Sequence, residues 1–412
     1  MKTKVKHMQE FFAVIGSFLI IPVLSRKKVP LGIAICACAV LMALLGGLGA
    51  FDFANVISNT FFNFNKVQQL LVVAEFSIIG VLLKKYKIID EVLDNLTKVI
   101  KNEKAILMLI PALIGMLTVP GGAIMSVPLV DQLGERSNIS KPHRAIINLV
   151  FRHIPMNILP YATSFLVVAS ISPRISIYKL IGLNSIFMMM YFIAAYYIYI
   201  RKAQSSPSPH YSFEWINLVK LLKFTSPIYV AVLLNLLLGV PFYLGVLVNL
   251  LIVYLIHPTK TFLMDSLRAF SFNVLYALIG VYLIQGIMGR MESLNSFLAS
   301  ILMNPNTIIL GIIAASMFFG ITTGFSPTAL GVILPILITL PLSDNMLLMY
   351  CHFTFCWAFV GYFFSPMHLC QIFTCEYLKV SIGDLYKDYW KFFVSLATVL
   401  VLNYFVMGLF LR

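Results

Sequence analysis

The sequence predicts an all-α polytopic membrane protein built from two inverted repeats, each of about five transmembrane helices with a re-entrant hairpin and a broken helix. The 412-residue chain is 60% hydrophobic and only 11% charged, whereas soluble domains carry about 25% charge. Apolar runs of helical length follow one another throughout, without the ten-residue alternation of outer-membrane strands. The same order of three spans, an interrupted segment and two spans occurs twice, on either side of the polar stretch RKAQSSPSPH at 201–210.

The first span is 8–24. Lysines before an apolar run imitate a signal peptide, but RKK at 26–28 follows in place of a small-residue cleavage site, so the span is expected to stay. Spans at 31–50 and 67–83, an interrupted segment at 104–131, and spans at 145–170 and 176–200 complete a first repeat over 1–200. Residues 201–224, opening on Ser and Pro, read as a cytoplasmic linker. The second repeat, 225–412, holds spans at 226–239, 241–257 and 270–289, an interrupted segment at 305–342, and spans at 346–370 and 390–411. The remaining connections, the longest at 84–104, are too short for a separate soluble domain.

The interrupted segments decide the topology. KAILMLIPALIGMLTVPGGAIMSVPLVDQ breaks at Pro120-Gly121-Gly122, and the second segment breaks at TTGFSPT, 322–328. Glycine and proline free the backbone for a tight reversal. A half-bilayer of about 15 Å needs roughly ten helical residues, and the arms are that long or longer. Each segment therefore reads as a hairpin that enters and leaves on one side, in preference to a kinked through-going span. With the N-terminus outside, inside loops hold 21 of the 30 lysines and arginines and outside loops hold 8, leaving Arg152 in a span. That is the orientation positive charge favours, although Lys2, Lys4 and Lys6 fall on the wrong side. The hairpins then open to opposite faces, as in alternating-access carriers.

The formal charge of +14 lies in loops between spans and does not point to nucleic acid. Cys36, Cys38, Cys351, Cys356, Cys370 and Cys375 lie in or beside apolar spans and read as buried thiols. The cluster of cysteines with His352 and His368 matches no zinc spacing, so neither a metal nor a cofactor is expected.

A returning hairpin arm points its N-terminal N–H groups at mid-membrane, where they favour negative charge. At the second tip Ser326 can cap, Pro327 suits the first helical position, and Thr328 adds a hydroxyl beside Thr323 and Gly324. The first tip offers Thr118, Pro120, Gly121 and Gly122, with Ser126 one turn on. Carbonyls near Thr118 and Thr322-Thr323 are candidates for Na⁺. In NLVFRHIPMNILP, 148–160, Pro155 and Pro160 remove donors in mid-span while Arg152 brings a permanent cation. Two uses are open for Arg152: binding a substrate anion, or bracing the broken helix by donating to its freed carbonyls. The matching helix of the second half carries His352, a later break at Ser365-Pro366, and His368. His153, His352 and His368 are proton-relay candidates, and Glu75 is the one carboxylate well inside a span.

The set TVPGGAIMSVP, NLVFRHIP, TTGFSPTALGVILP and YFFSPMHLCQIFTCEY resembles the family catalogued as domain of unknown function 401, over nearly the whole chain. The resemblance implies membership of the ion transporter superfamily, beside citrate, divalent-anion/sodium, gluconate and arsenite carriers. It also implies assembly as a homodimer, with Pro120, Gly121, Gly122, Arg152, His153, Ser365, Pro366 and His368 at motif positions. The Ser-Asn-Thr tip signatures of the dicarboxylate carriers are missing here.

The expected function is a secondary active transporter of a small anionic solute, coupled to H⁺ or Na⁺, in the cytoplasmic membrane of a bacterium or archaeon. A cation/proton antiporter using His153, His352 or Glu75 is the alternative. An intramembrane enzyme is not favoured, since the sequence holds no HExxH, no GxSxG and no clustered intramembrane acids.

Overall fold

The computed structural model describes residues 2–117, 123–204, 214–302, 304 and 307–411, and every regular element among them is helical. The first half runs α1 (Lys2–Phe18), α2 (Ile20–Arg26), α3 (Leu31–Leu45), α4 (Ala50–Phe62), α5 (Phe64–Lys85), α6 (Ile88–Val99), α7 (Glu103–Met116), α8 (Ala123–Arg136), α9 (Lys141–His153), α10 (Thr163–Ile171) and α11 (Ile177–Ala195). A π-helical turn, Tyr196–Ile200, continues α11. The second half runs α12 (Trp215–Leu238), α13 (Phe242–Ile256), α14 (Phe262–Ala269), α15 (Phe272–Met288), α16 (Glu292–Leu302), α17 (Ile308–Thr323), α18 (Pro327–Leu337), α19 (Asp344–Phe363), α20 (Leu369–Leu378) and α21 (Ile382–Leu411). With α1 and α2 taken as one interrupted rod, the described halves present the same order of long and short helices.

Five helices are long and apolar enough to cross a bilayer: Phe64–Lys85, Ile177–Ile200, Trp215–Leu238, Asp344–Phe363 and Ile382–Leu409. Outward faces of α12, α13 and α21 expose Leu233, Leu237, Leu247, Leu251, Leu402 and Phe405. Water would not tolerate so much exposed apolar surface, whereas lipid requires it. The protein is membrane-embedded.

Contacts between the halves come in matched pairs. Helix α3 packs along α15 and α13 along α5; α4 lies on α15 and α14 on α5. Likewise α8 lies on α20 and α18 on α10, while α21 packs on α9 and α19 on α11. Small residues permit the closest of these approaches. A Cβ on Gly280 of α15 would run into the backbone of Ile35 and Cys36 on α3, and the Cys36 thiol donates to the Tyr276 carbonyl at 3.1 Å.

Two expectations need correction. The connection at 84–104 contains α6, whose Ile88, Ile89, Val92 and Leu96 form a buried stripe; their three- and four-residue spacing was the signal. The expected linker also ends early, because α12 begins at Trp215. Its first turns are apolar, and Lys220 and Lys223 stay exposed, as long cationic side chains near a membrane surface do. Residues 205–213 of that linker lie outside the described residues.

Helices α7 and α8 fold back on each other. Ile106, Ile110 and Ile114 of α7 share a core with Met125, Leu129 and Leu133 of α8. The Lys104 ammonium donates to the Arg201 carbonyl at 3.1 Å, and the Gln204 N–H donates to the Ser137 carbonyl at 3.1 Å. The start of α7 and the exit of α8 therefore meet at one end of the bundle, beside the exit of α11. Each arm has 14 residues, about 21 Å at 1.5 Å per residue, which is short of the roughly 30 Å hydrocarbon core. At the other end of the bundle, Arg174 beyond α10 donates to Asp344 Oδ1 at 3.0 Å and to the Leu342 carbonyl at 3.0 Å. Tyr178 at the start of α11 bonds Asn235 near the end of α12 at that same end. The exit of α18 thus lies at the end opposite to the exit of α8.

Close approach fixes the first hairpin. A Cβ on Gly115 of α7 would collide with the Arg152 carbonyl. Gly115→Ala should therefore lower the melting temperature in detergent by an amount equivalent to about 1–3 kcal/mol of overpacking. Gly182→Ala, where nothing lies within 4 Å, should be neutral or stabilising by up to about 1 kcal/mol. Thermal unfolding followed by intrinsic fluorescence checks both.

At the end of α5, Lys85 pairs with Asp265 of α14 at 2.6 Å, and the Tyr86 and Thr261 hydroxyls donate to the same carboxylate at 3.0 and 2.9 Å. The Lys85 hydrogen bond holds the Asp265 carboxyl below its usual range. Burial, with Asp265 beside it, pushes the Tyr86 hydroxyl up to about 12. A depressed carboxyl contributes stability above its unfolded value of about 3.9 and loses it as pH falls through the folded value. Asp265→Asn should lower the melting temperature at pH 7 and flatten its fall below about pH 4, as read by a melting series across pH.

Candidate functional site

The first broken helix begins earlier than the expected start near Ala145, because Pro142 in the first turn of α9 extends it back to Lys141. It ends at His153, where Pro155 and Pro160 deny donors to the preceding turn. A 3₁₀ turn, Pro155–Asn157, carries the chain on until α10 resumes at Thr163. Backbone carbonyls around the break are served by side chains: the Asn157 amide donates to the His153 carbonyl at 2.8 Å and Tyr191 to the Val150 carbonyl at 3.1 Å. The Asn184 amide donates to the Asn157 carbonyl at 3.3 Å.

Arg152 is not one of these donors. Its side chain is 0% exposed, and Nε, Nη1 and Nη2 have no hydrogen-bond partner among the described residues. The helix is braced by amides and a phenol, and among the described residues the guanidinium has no such role.

Each hairpin docks on the break of its own half. Gly115 abuts the Arg152 carbonyl, and Tyr161, stacked on Phe76 at 4.0 Å, donates to the Met116 carbonyl at 3.0 Å. In the second half, Ser365 donates to the Ile321 carbonyl at 2.5 Å and accepts from the Met367 N–H at 3.0 Å. Gly324, at φ +59°, sits where any Cβ would strike the Met367 carbonyl. Thr118, Pro120, Gly121 and Gly122 lie outside the described residues.

At the second tip Pro327 opens α18. Thr322 donates to the Phe318 carbonyl at 2.7 Å; Thr323 lies 2.7 Å from the Phe319 carbonyl and accepts from the Phe325 N–H at 3.1 Å. Ser326 does not cap, because its backbone is already helical. Its hydroxyl lies 3.2 Å from that of Ser164, in the first turn of α10. The N-termini of α18 and α10 therefore meet, with the buried Thr328 hydroxyl unpartnered among the described residues.

Helices α8 and α20 form the matching packed pair. Asn148 on α9 donates to the Ala123 carbonyl at 3.3 Å and to Thr374 on α20 at 3.0 Å, while Ser126 turns back to the Ala123 carbonyl at 3.3 Å. Asn148 Oδ1 and Gln371 Oε1 are buried without a partner among the described residues. His368 occupies the N-cap position of α20 without a side-chain capping bond, and its Nε2 lies 3.1 Å from His153 Nε2. Arg152 immediately precedes His153 on α9, and the Tyr362 hydroxyl lies 3.1 Å from His153 Nε2. The facing imidazoles of His153 and His368 thus bring the two halves together at the start of α20, one residue from Arg152, whose guanidinium has no partner among the described residues. N-termini and a guanidinium together favour an anion.

His352 and Glu75 stand outside this locus. His352 Nδ1 lies 2.8 Å from Asn184 Oδ1, and the Asn403 amide donates to its Nε2 at 3.1 Å, the full complement of a neutral imidazole. Glu75 Oε2, on α5, has no partner among the described residues. Ser164, Asn184, Tyr191 and Tyr362 were missed in the sequence; a lone Asn in the apolar run around 184 was the available signal.

The class is a membrane-embedded helical protein with a buried cationic centre between two interrupted helices. The chain belongs to the family described as protein of unknown function DUF401, whose profile matches residues 9–410. No curated protein matches it.

Asn184 serves both the broken backbone and His352. Asn184→Ala leaves a carbonyl without its donor and a ring N–H without its acceptor, at about 1–3 kcal/mol for each buried group. A marked fall in melting temperature is expected; an unchanged melt would show that these bonds contribute nothing.

Proposed function

We propose that this protein is a secondary active transporter that carries a small anionic solute across the cytoplasmic membrane by alternating access. The observation that carries the reading is the fully buried Arg152 guanidinium without a partner among the described residues. A permanent cation inside the bilayer costs several kcal/mol unless it meets an anion or free dipoles, and the helix bracing is already done by Asn157, Asn184 and Tyr191. The anion is held by Arg152 and the N-termini of α8 and α20, with the N-termini of α10 and α18 as the matching half-site.

In this reading the halves are inverted repeats whose hairpins are re-entrant, open to opposite faces and lie against each other's broken helices. Matched contacts and hairpin exits at opposite ends of the bundle support it. Movement of the hairpin regions against the scaffold of α3, α5, α13 and α15 exposes the site to each side in turn, as in carriers of the ion transporter superfamily. Coupling is to H⁺ or Na⁺, with His153 and His368 the proton candidates. A cation/proton antiporter is the second reading, supported by the same facing imidazoles. It would show Na⁺-dependent proton release from proteoliposomes without any anion.

A thermal-shift panel of mono-, di- and tricarboxylates, sulfonates and oxyanions, with and without Na⁺, should yield a stabilising anion that proteoliposomes then transport under an ion gradient. Arg152→Gln should weaken that stabilisation at least tenfold in affinity, because a charge-assisted hydrogen bond is worth about 1.5–3 kcal/mol, while Arg152→Lys retains part of it. No stabilising anion and no flux, or undiminished affinity in Arg152→Gln, would refute the proposal.

A further inference from the structure

The surroundings of His153 and His368 fix the tautomer of each ring. His153 Nδ1 lies 2.6 Å from the Leu149 carbonyl, and His368 Nδ1 lies 3.1 Å from the Phe363 carbonyl. A carbonyl oxygen only accepts, so both rings carry their proton on Nδ1 and present a bare lone pair at Nε2. Those lone pairs face each other across 3.1 Å. The Tyr362 hydroxyl, 3.1 Å from His153 Nε2, donates to one of them. His368 Nε2 has no donor among the described residues. Two buried lone pairs at this separation repel unless a positive centre lies between them.

Cys370 adds a third donor. It follows His368 by two residues at the start of α20, and its Sγ and one ring nitrogen from each histidine all lie within 4.8 Å of one another. We infer that His153 Nε2, His368 Nε2 and Cys370 Sγ form a binding site for a soft d¹⁰ cation, with copper(I) the best match. Metal–nitrogen bonds of about 2.0 Å in a trigonal three-ligand shell put two nitrogens about 3.5 Å apart, within a few tenths of an ångström of the spacing already present. Backbone carbonyls on both Nδ1 atoms are the outer contacts that orient metal-binding histidines. A thiolate with two imidazoles selects soft ions and rejects Na⁺, Mg²⁺ and Ca²⁺.

Charge selects the valence. Arg152, next to His153 on α9, is the neighbouring fixed cation, and the Tyr362 hydroxyl faces His153 Nε2 at 3.1 Å. When copper(I) binds, the Cys370 S–H bond breaks, a Cu–S bond forms and one proton leaves, with no change of oxidation state. The site's net charge is then unchanged beside the guanidinium, whereas Zn²⁺ would add one positive charge to a buried cationic locus. The bound ion takes the place of the Tyr362 hydroxyl on His153 Nε2. Sequence spacing gave no hint of this site, because His153 comes from the other half of the chain.

The test does not depend on the anion-carrier reading, since it uses the purified full-length protein in detergent. The protein is loaded anaerobically with copper(I) or with Zn²⁺, desalted, and analysed for metal content, proton release and X-ray absorption at the copper edge. About one copper per chain, one proton released, and a shell of two nitrogens and one sulfur are expected. Cys370→Ser and His368→Asn should each weaken copper binding at least tenfold, while Cys375→Ser, outside the group, should not. Melting curves of the unloaded variants show that the fold is retained, and Cys370→Ser is close to isosteric should His368→Asn fail to fold. No bound metal in the wild type, or copper binding unaffected by Cys370→Ser, would overturn the site; Zn²⁺ binding tighter than copper(I) would overturn the charge argument.

Discussion

The centre of this protein is governed by one constraint: a helix broken inside an apolar medium frees backbone groups that no water can serve. Pro155 and Pro160 break one helix and Ser365-Pro366 another, and the molecule is arranged to satisfy what they release. Asn157 and Tyr191 donate to carbonyls around the first break, while Asn184 reaches across from α11. Ser365 ties the second break to the end of α17. Glycines at 115 and 324 then let each hairpin lie directly on the backbone of its break. Breaks and hairpin ends are thus one packed unit in each half.

The two units are joined by exchange. The return arm of each hairpin packs on the short distal arm of the other half's broken helix, α8 on α20 and α18 on α10. Neither half can complete its polar centre alone. Asn148 needs Thr374, Ser326 meets Ser164, and His153 faces His368. Such contacts link the position of one hairpin to that of the other through hydrogen bonds costly to break in the absence of water.

The buried histidines show how environment separates residues that look alike in sequence. His352 has an amide acceptor on one nitrogen and an amide donor on the other, so a neutral ring is complete. His153 and His368 have carbonyls on Nδ1 and each other at Nε2, an arrangement with room for one more positive centre. Arg152, a turn beyond Asn148, adds a charge without a partner among the described residues.

Composition and spacing determined the membrane class, the two runs of similar segments and the positions of both breaks, because hydrophobic length and proline act through local chain physics. The periodic stripe of α6 and the helical start of α12 were equally local and were legible in principle. Only the tertiary structure decided which side chains serve the freed carbonyls and that Ser326 meets Ser164 instead of capping its own helix. It also decided that His368 pairs with His153 while His352 pairs with Asn184. The serine and histidine pairings join residues 162 to 215 positions apart, set by which helix faces meet when the halves interlock, and no local pattern encodes a meeting of that kind.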